Sequence, residues 1–190
     1  MGLNKRLIGA GATASGSGGI TPSEHFGVAL YEGNGSSGHS INGGKFGAGA
    51  YFNGSSSYVS LSNASTILGT PTGQTISLWA NFKSVPSSGY SGMTLLAAND
   101  GNTPNWQITL FNAKLSVDYF QSGGIYRQRA SQTTTISANT WYHFVITFDS
   151  SNADITELYV NGQLETTTNR TSGGTYTGGI SNPSVPISIG

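Results

Sequence analysis

Residues 139–164 read NTWYHFVITFDSSNADITELYVNGQL, and few architectures accommodate them. Tyr142, Phe144, Ile146 and Phe148 recur at every second position. That is the period of a strand with one buried face, because successive side chains leave opposite sides of the backbone. A polar turn follows, then a second run, Ile155 to Val160, rich in β-branched and aromatic residues. Asn161-Gly162 closes the unit. This pair suits a type I′ turn, whose two central residues both need positive φ. Strand, loop, strand and tight turn commit this stretch of the chain to antiparallel β-structure.

The rest of the chain repeats the pattern in weaker form. His25 to Tyr31 reads as a strand, and Glu32 to Gly44 as a long polar loop. Ala50, Phe52, Tyr58, Val59 and Leu61 bracket a turn at Asn53-Gly54. Over Thr75 to Phe82, Ile76, Leu78, Ala80 and Phe82 share one face, while Ser77, Trp79 and Asn81 share the other. Met93 to Ala98 is a short apolar strand that runs into the turn Asn99-Asp100-Gly101-Asn102. Trp106 to Phe111 and Lys114 to Phe120 form a hairpin around Asn112-Ala113, and Ile125 to Ala130 follows. Gln163 to Thr168 completes the Asn161-Gly162 hairpin, Thr171 to Pro186 is a long loop, and Ile187 to Gly190 begins a last strand. No stretch longer than a turn or two carries helical periodicity. Some ten to twelve short strands of this kind imply an all-β sandwich or barrel.

Composition narrows the function. Of 190 residues only 8% are charged, with 8 basic against 8 acidic, so there is no electrostatic footprint for a phosphate backbone and nucleic acid is not expected as a partner. The 36% apolar and 11% aromatic content supports a packed core, and 28 glycines suit many turns. Cysteine is absent, which removes disulfides and thiolate metal sites. No apolar stretch approaches the roughly 18 residues that span a bilayer, so membrane insertion is not expected.

Residues 1–22 read as a flexible Gly/Ser-rich arm, and residues 23–190 as one domain. Lys5, Arg6, Leu7 and Ile8 form a candidate docking handle within the arm. The apolar segment Leu7 to Ala12 is shorter than the about 7–15 residues of a secretory core region. Arg6 stands where a myristoylation signal wants Ser or Thr.

Several pieces, in order, resemble laminin-G-like domains of the concanavalin A-like lectin/glucanase superfamily. They are Gly44-Lys45-Phe46-Gly47 with Ala50, Phe52, Asn53-Gly54 and Tyr58-Val59; Ile76-Ser77-Leu78-Trp79; Thr140-Trp141-Tyr142-His143; Leu158-Tyr159-Val160-Asn161-Gly162; and Ile187-Ser188-Ile189-Gly190. The resemblance implies a jelly-roll sandwich of two antiparallel sheets, with carbohydrate or protein binding at loop tips or on a concave face. It places Trp79 and Trp141 in the core. It also implies a further strand pair after the last motif, so the sandwich is expected to be incomplete at its C-terminal edge: either the sequence continues past Gly190 or another chain supplies the missing strand. Asn53 and Ser57 stand where relatives often have Asp, which weakens an inherited calcium site. The N-terminal stretch, running into a Cys-free lectin-like domain, is similar to structural proteins of tailed bacteriophages. That similarity implies a virion location, other virion proteins as partners through the arm, and a homo-oligomer. The alternatives are a secreted or cell-surface carbohydrate-binding module of a bacterium, and an architectural protein without a ligand.

Catalysis is not expected. Retaining glucanases need paired carboxylates, one as nucleophile and one as acid/base, and the acids here are dispersed. Asp154 and Glu157, three apart, are expected on opposite faces of a strand. The histidines carry no nucleophile motif around them, and His143 reads as a partly buried strand residue. For a glycan site the aromatic candidates are Trp79, Trp106, Tyr90, Tyr119 and Tyr126, and the chosen cluster is Asp100, Asn102, Trp106 and Tyr126 at loop tips. No cofactor is required. Calcium is the one left open, on oxygens of Asn99, Asp100 and Asn102 or of Asp149, Asn152 and Asp154.

Overall fold

A computed structural model describes residues 39–61, 73–85, 87–88, 90–99, 104–121, 125–149, 152–175 and 186–190. Its strands are β1 (His39–Gly44), β2 (Gly47–Ala50), β3 (Val59–Leu61), β4 (Gly73–Asn81), β5 (Tyr90–Asn99), β6 (Pro104–Phe111), β7 (Lys114–Gln121), β8 (Ile125–Ser131), β9 (Trp141–Asp149), β10 (Glu157–Val160), β11 (Gln163–Leu164), β12 (Thr167–Ser172) and β13 (Ile187–Ile189). The expected all-β jelly-roll sandwich is what forms. A seven-stranded sheet runs β12-β8-β7-β6-β5-β13-β3, a four-stranded sheet runs β11-β10-β9-β4, and β1 and β2 make a separate hairpin. Every strand pair is antiparallel.

The core lies between the two sheets and follows from the period-two runs. From the smaller sheet come Tyr142, Phe144, Ile146, Phe148, Leu158 and Val160; from the larger come Trp106, Ile108, Leu110, Leu115, Val117 and Tyr119. Phe148 reaches across to Trp106 and Tyr119, with ring centroids 5.7 and 6.2 Å away. Each such side chain contributes about 1.5–3 kcal/mol when fully buried. The inward row of β4 (Ile76, Leu78, Ala80) and Phe82 packs against this cluster as its alternation requires.

Two tight turns hold both central residues at positive φ. Asn161 and Gly162 take φ of 51° and 80°, and Asn112 and Ala113 take 51° and 56°. The side chain of Asn53 organises its own turn, its Oδ1 accepting the backbone N–H groups of Ser55, Ser56 and Ser57.

Three stretches differ from expectation. His39–Gly44, read as loop, is a strand paired with β2. Ile155 belongs to a 3-10 turn, Ala153–Ile155, so β10 begins only at Glu157 and Asp154 lies on no strand. The Gln163 hairpin ends at Leu164, after which Thr167–Ser172 crosses to the other sheet and pairs with β8. A Thr-rich edge strand carries no apolar alternation and is invisible to periodicity. The last strand lies within the larger sheet, with β5 on one side and β3 on the other. The arm and the expected strand at His25 to Tyr31 fall outside the described residues.

Glu165 secures the crossing. Its buried carboxylate accepts hydrogen bonds from Ser131 Oγ, from Thr134 N–H at 2.7 Å and from Thr134 Oγ1 at 2.7 Å. A Glu165→Gln variant presents an amide to at least one of these donors. It should lose about 1–3 kcal/mol in urea unfolding, the range for disrupting hydrogen bonds to a buried charge. An unchanged midpoint would show that the staple is dispensable.

Candidate functional site: an aromatic face on the smaller sheet

The outward row of β4 holds Thr75, Ser77, Trp79 and Asn81, all exposed. Opposite them on β9 stand Thr147, Val145, His143 and Trp141, and Tyr159 on β10 stands opposite Val145. Trp79 and His143 are direct cross-strand partners, and their rings stack at 4.9 Å with 23° between planes. Ser77 Oγ and His143 Nε2 are hydrogen-bonded at 2.9 Å, which fixes the imidazole in its plane. The Oδ1 of Asn161 accepts the His143 backbone N–H at 2.9 Å, tying the tight turn to the same position. The indole is thus backed by a held ring while 40% of it stays exposed.

The β1–β2 hairpin supplies the other wall. Phe46, 78% exposed, meets Trp79 edge-on with centroids 5.4 Å apart. Lys45 Nζ lies 5.3 Å from the Trp79 ring centre. Further along, Lys83 Nζ sits 4.5 Å from the Tyr51 ring centre and donates to Tyr51 Oη at 3.0 Å. The hairpin and the residue after it therefore run beside β4, Phe46 against Trp79 and Tyr51 against Lys83. Aromatic faces carry negative electrostatic potential, which holds cations and also the electropositive C–H groups of a sugar ring.

At the far end of this face Tyr159 Oη donates to Glu157 at 2.7 Å. That hydrogen bond first, then desolvation and the adjacent negative charge, raise the phenol pKa above its ordinary 10.0. A raised value means that the bond's contribution is complete below about pH 10 and is lost as the pH climbs through the folded-state pKa. In an ultraviolet titration Tyr159 should ionise later in wild type than in Glu157→Gln, and coincident curves would refute the pairing.

Of the expected glycan-site residues, Trp106 and Tyr126 do not come together. Trp106 is fully buried in the core, against Phe148. Tyr126 is on the opposite surface of the larger sheet, stacked on Phe120 at 6.2 Å. The register explains the split: Trp106 faces Tyr119 while Tyr126 faces Phe120, and consecutive residues of β7 point to opposite sides. Asp100 and Asn102 lie outside the described residues, as do Lys5, Arg6, Leu7 and Ile8. Asn99 ends β5 opposite Pro104. Tyr119 is core, its hydroxyl bonded to Thr156. Trp79, expected inside, is outside, and Trp141 shares its outward row in a partly buried position.

At the Asp149 turn proposed for calcium, one carboxylate oxygen each of Asp149 and Asp154 has hydrogen-bond partners. Asp149 accepts the N–H of Asn152 at 3.1 Å. Asp154 forms an ion pair with Arg127, whose Nε donates at 2.8 Å, and accepts from Asn169 Nδ2 at 3.3 Å. A guanidinium bound to the same carboxylate opposes a divalent cation there. Among the described residues no group of three or more His, Asp or Glu side chains could hold a metal. The other described acids have structural partners as well. Asp118, buried on the outer surface of the larger sheet, accepts from Gln107 at 2.9 Å and Gln128 at 3.0 Å. No helix among the described residues is long and apolar enough to cross a membrane.

A family model described as the concanavalin A-like lectin/glucanases superfamily, of the laminin-G type, matches residues 53–187, well over half of the chain. The chain belongs to that superfamily. Among solved structures, this lectin-like domain is similar to the crystal structure of the binding domain of Paraclostridial Mosquitocidal Protein 1. The TM-score is 0.57 and the identity 21%, covering 80% of this chain and 37% of that one. The lectin-like domain thus spans little over a third of that neighbour, and the likeness speaks for the fold. No curated protein matches the sequence.

Proposed function

We propose that the chain is a non-catalytic, lectin-like module that binds saccharides on the outward face of its smaller sheet. The observation that carries this reading is the exposed Trp79 ring, stacked on His143 and walled by Phe46. A large aromatic held open to solvent is a ready platform for the apolar face of a pyranose. Ser77, Asn81 and Asn161 ring it with hydrogen-bonding groups. Catalysis finds no support in the described carboxylates. Asp118, Asp149, Asp154, Glu157 and Glu165 each serve a hydrogen bond or ion pair of the fold.

The setting proposed for this module is a virion. Its basic-apolar start and Gly/Ser arm would dock it to other virion proteins, and the sandwich would meet host-surface glycans. Mass spectrometry of intact particles should find the chain. Its absence there, with mature protein beginning near Ser15 in a bacterial culture medium, would favour the secreted module instead.

A glycan array on the purified protein, run with and without a chelator, tests the binding. Saccharide binding that survives chelation is the expected result. Loss on chelation would assign the site to a calcium ion, for which the Asn99, Asp100 and Asn102 turn is the remaining candidate. A blank array from folded protein would leave the architectural role.

A further inference from the structure

The chemistry around Trp79 selects among saccharides. Lys45 and Lys83 both stand at the aromatic rims of this face, and neither has a carboxylate partner among the described residues. Lys45 Nζ lies over two rings, 5.3 Å from the centre of Trp79 and 6.0 Å from that of Phe46. Lys83 Nζ rests on Tyr51. Such contacts stabilise an exposed ammonium by about 0.5–1 kcal/mol, yet leave its charge unneutralised.

Among the described residues, acidic groups on the same face are remote. Glu157 stands opposite Thr147, four residues along β9 from the His143 that faces Trp79. At about 3.3 Å per residue that is roughly 13 Å, beyond the screening length of about 8 Å at physiological salt. Glu157 is also engaged by Tyr159. The chain as a whole is neutral, so the positive character of the Trp79 surroundings is local.

We propose that this face takes acidic saccharides, meaning sugars carrying a carboxylate or sulfate. The pyranose ring stacks on Trp79, its anion pairs with Lys45, and an anion on a neighbouring sugar of the polymer pairs with Lys83. The inference rests on the Trp79 face being the saccharide platform, and the test separates the two. Full-length protein is titrated with polygalacturonate and its carboxyl-reduced form, and with a sulfated galactan and its desulfated form. Polyglutamate serves as an anion without sugar.

Wild type should bind at least one acidic polymer about tenfold or more tighter than its neutral twin, and this preference should shrink with added salt. The double variant Lys45→Gln/Lys83→Gln should bind both members of that pair alike. Both lysines are exposed, so its melting temperature should match wild type. Equal binding of acidic and neutral twins by wild type, still lost in Trp79→Ala, would overturn the acidic selection and leave the platform standing. Binding of polyglutamate as tight as that of the sugars would reduce the site to a polyanion patch and overturn the proposal. Absence of binding to every polymer, or binding unaffected by Trp79→Ala, would overturn the platform and the selection together.

Discussion

Trp106→Ala should lower the unfolding free energy by about 3–5 kcal/mol, the range for truncating a large buried aromatic. Trp106 is wholly inaccessible and packs on Phe148 across the sandwich. Removing it leaves a cavity bounded by both sheets, which cannot collapse without sliding one sheet over the other. For a chain of this size the melting temperature should fall by roughly 6–20 °C, at about 2–4 °C per kcal/mol. Trp106→Phe should be milder. The indole N–H of Trp106 has no hydrogen-bond partner among the described residues. Phe therefore removes an unsatisfied buried donor, worth about 1–3 kcal/mol, which offsets part of the lost volume. The same measurement tests the alternative role for this residue. A surface platform at Trp106 would give an alanine variant that melts like wild type and fails to bind sugar. The buried position requires the reverse, with saccharide binding retained in Trp106→Phe.

Trp79→Ala should do the opposite. Its ring is 40% exposed on the outward face, so folding loses its cross-strand contact with His143, about 0.2–1 kcal/mol, and surface contacts with Phe46 and Lys45. Binding should suffer far more. Truncating an aromatic anchor commonly costs about 2 kcal/mol or more, which is roughly 30-fold in affinity. A lectin of modest affinity would then fall below detection. His143→Ala should show a smaller loss, because it removes the ring that holds the indole rather than the indole itself. Titration with an array-positive sugar, beside thermal melts of each variant, reads both quantities. Wild-type affinity in Trp79→Ala would remove this face from consideration.

The two tryptophans also show what a sequence can and cannot reveal. The segment WQITLF alternates Trp106, Ile108 and Leu110 against Gln107 and Thr109. That period alone assigns Trp106 to the core, although the turn just before it sets the residue near a loop. In the same manner ISLWAN sets Trp79 with Ser77 and Asn81, away from Ile76, Leu78 and Ala80. The alternation reads Trp79 as outward, whereas the family resemblance placed it inside. In both cases the local pattern decides, because a strand residue has no freedom to change face without shifting the register of the whole strand.

Beside the superfamily resemblance, residue types and their spacing by themselves determined the all-β class, the inward rows of β4 and β9 and the Asn161-Gly162 turn. Each depends on backbone periodicity or local turn geometry. The remaining features depend on chain segments meeting across long separations. That β12 leaves one sheet for the other is decided by pairing with β8 and by the Glu165 staple. That Asp154 is spent on Arg127 is decided by a turn packing on a distant strand. That Phe46 and Lys45 close over Trp79 is decided by where a small hairpin comes to rest. Local sequence carries no signal for such contacts, because their free energy comes from burial and charge pairing that exist only once both sheets are in place.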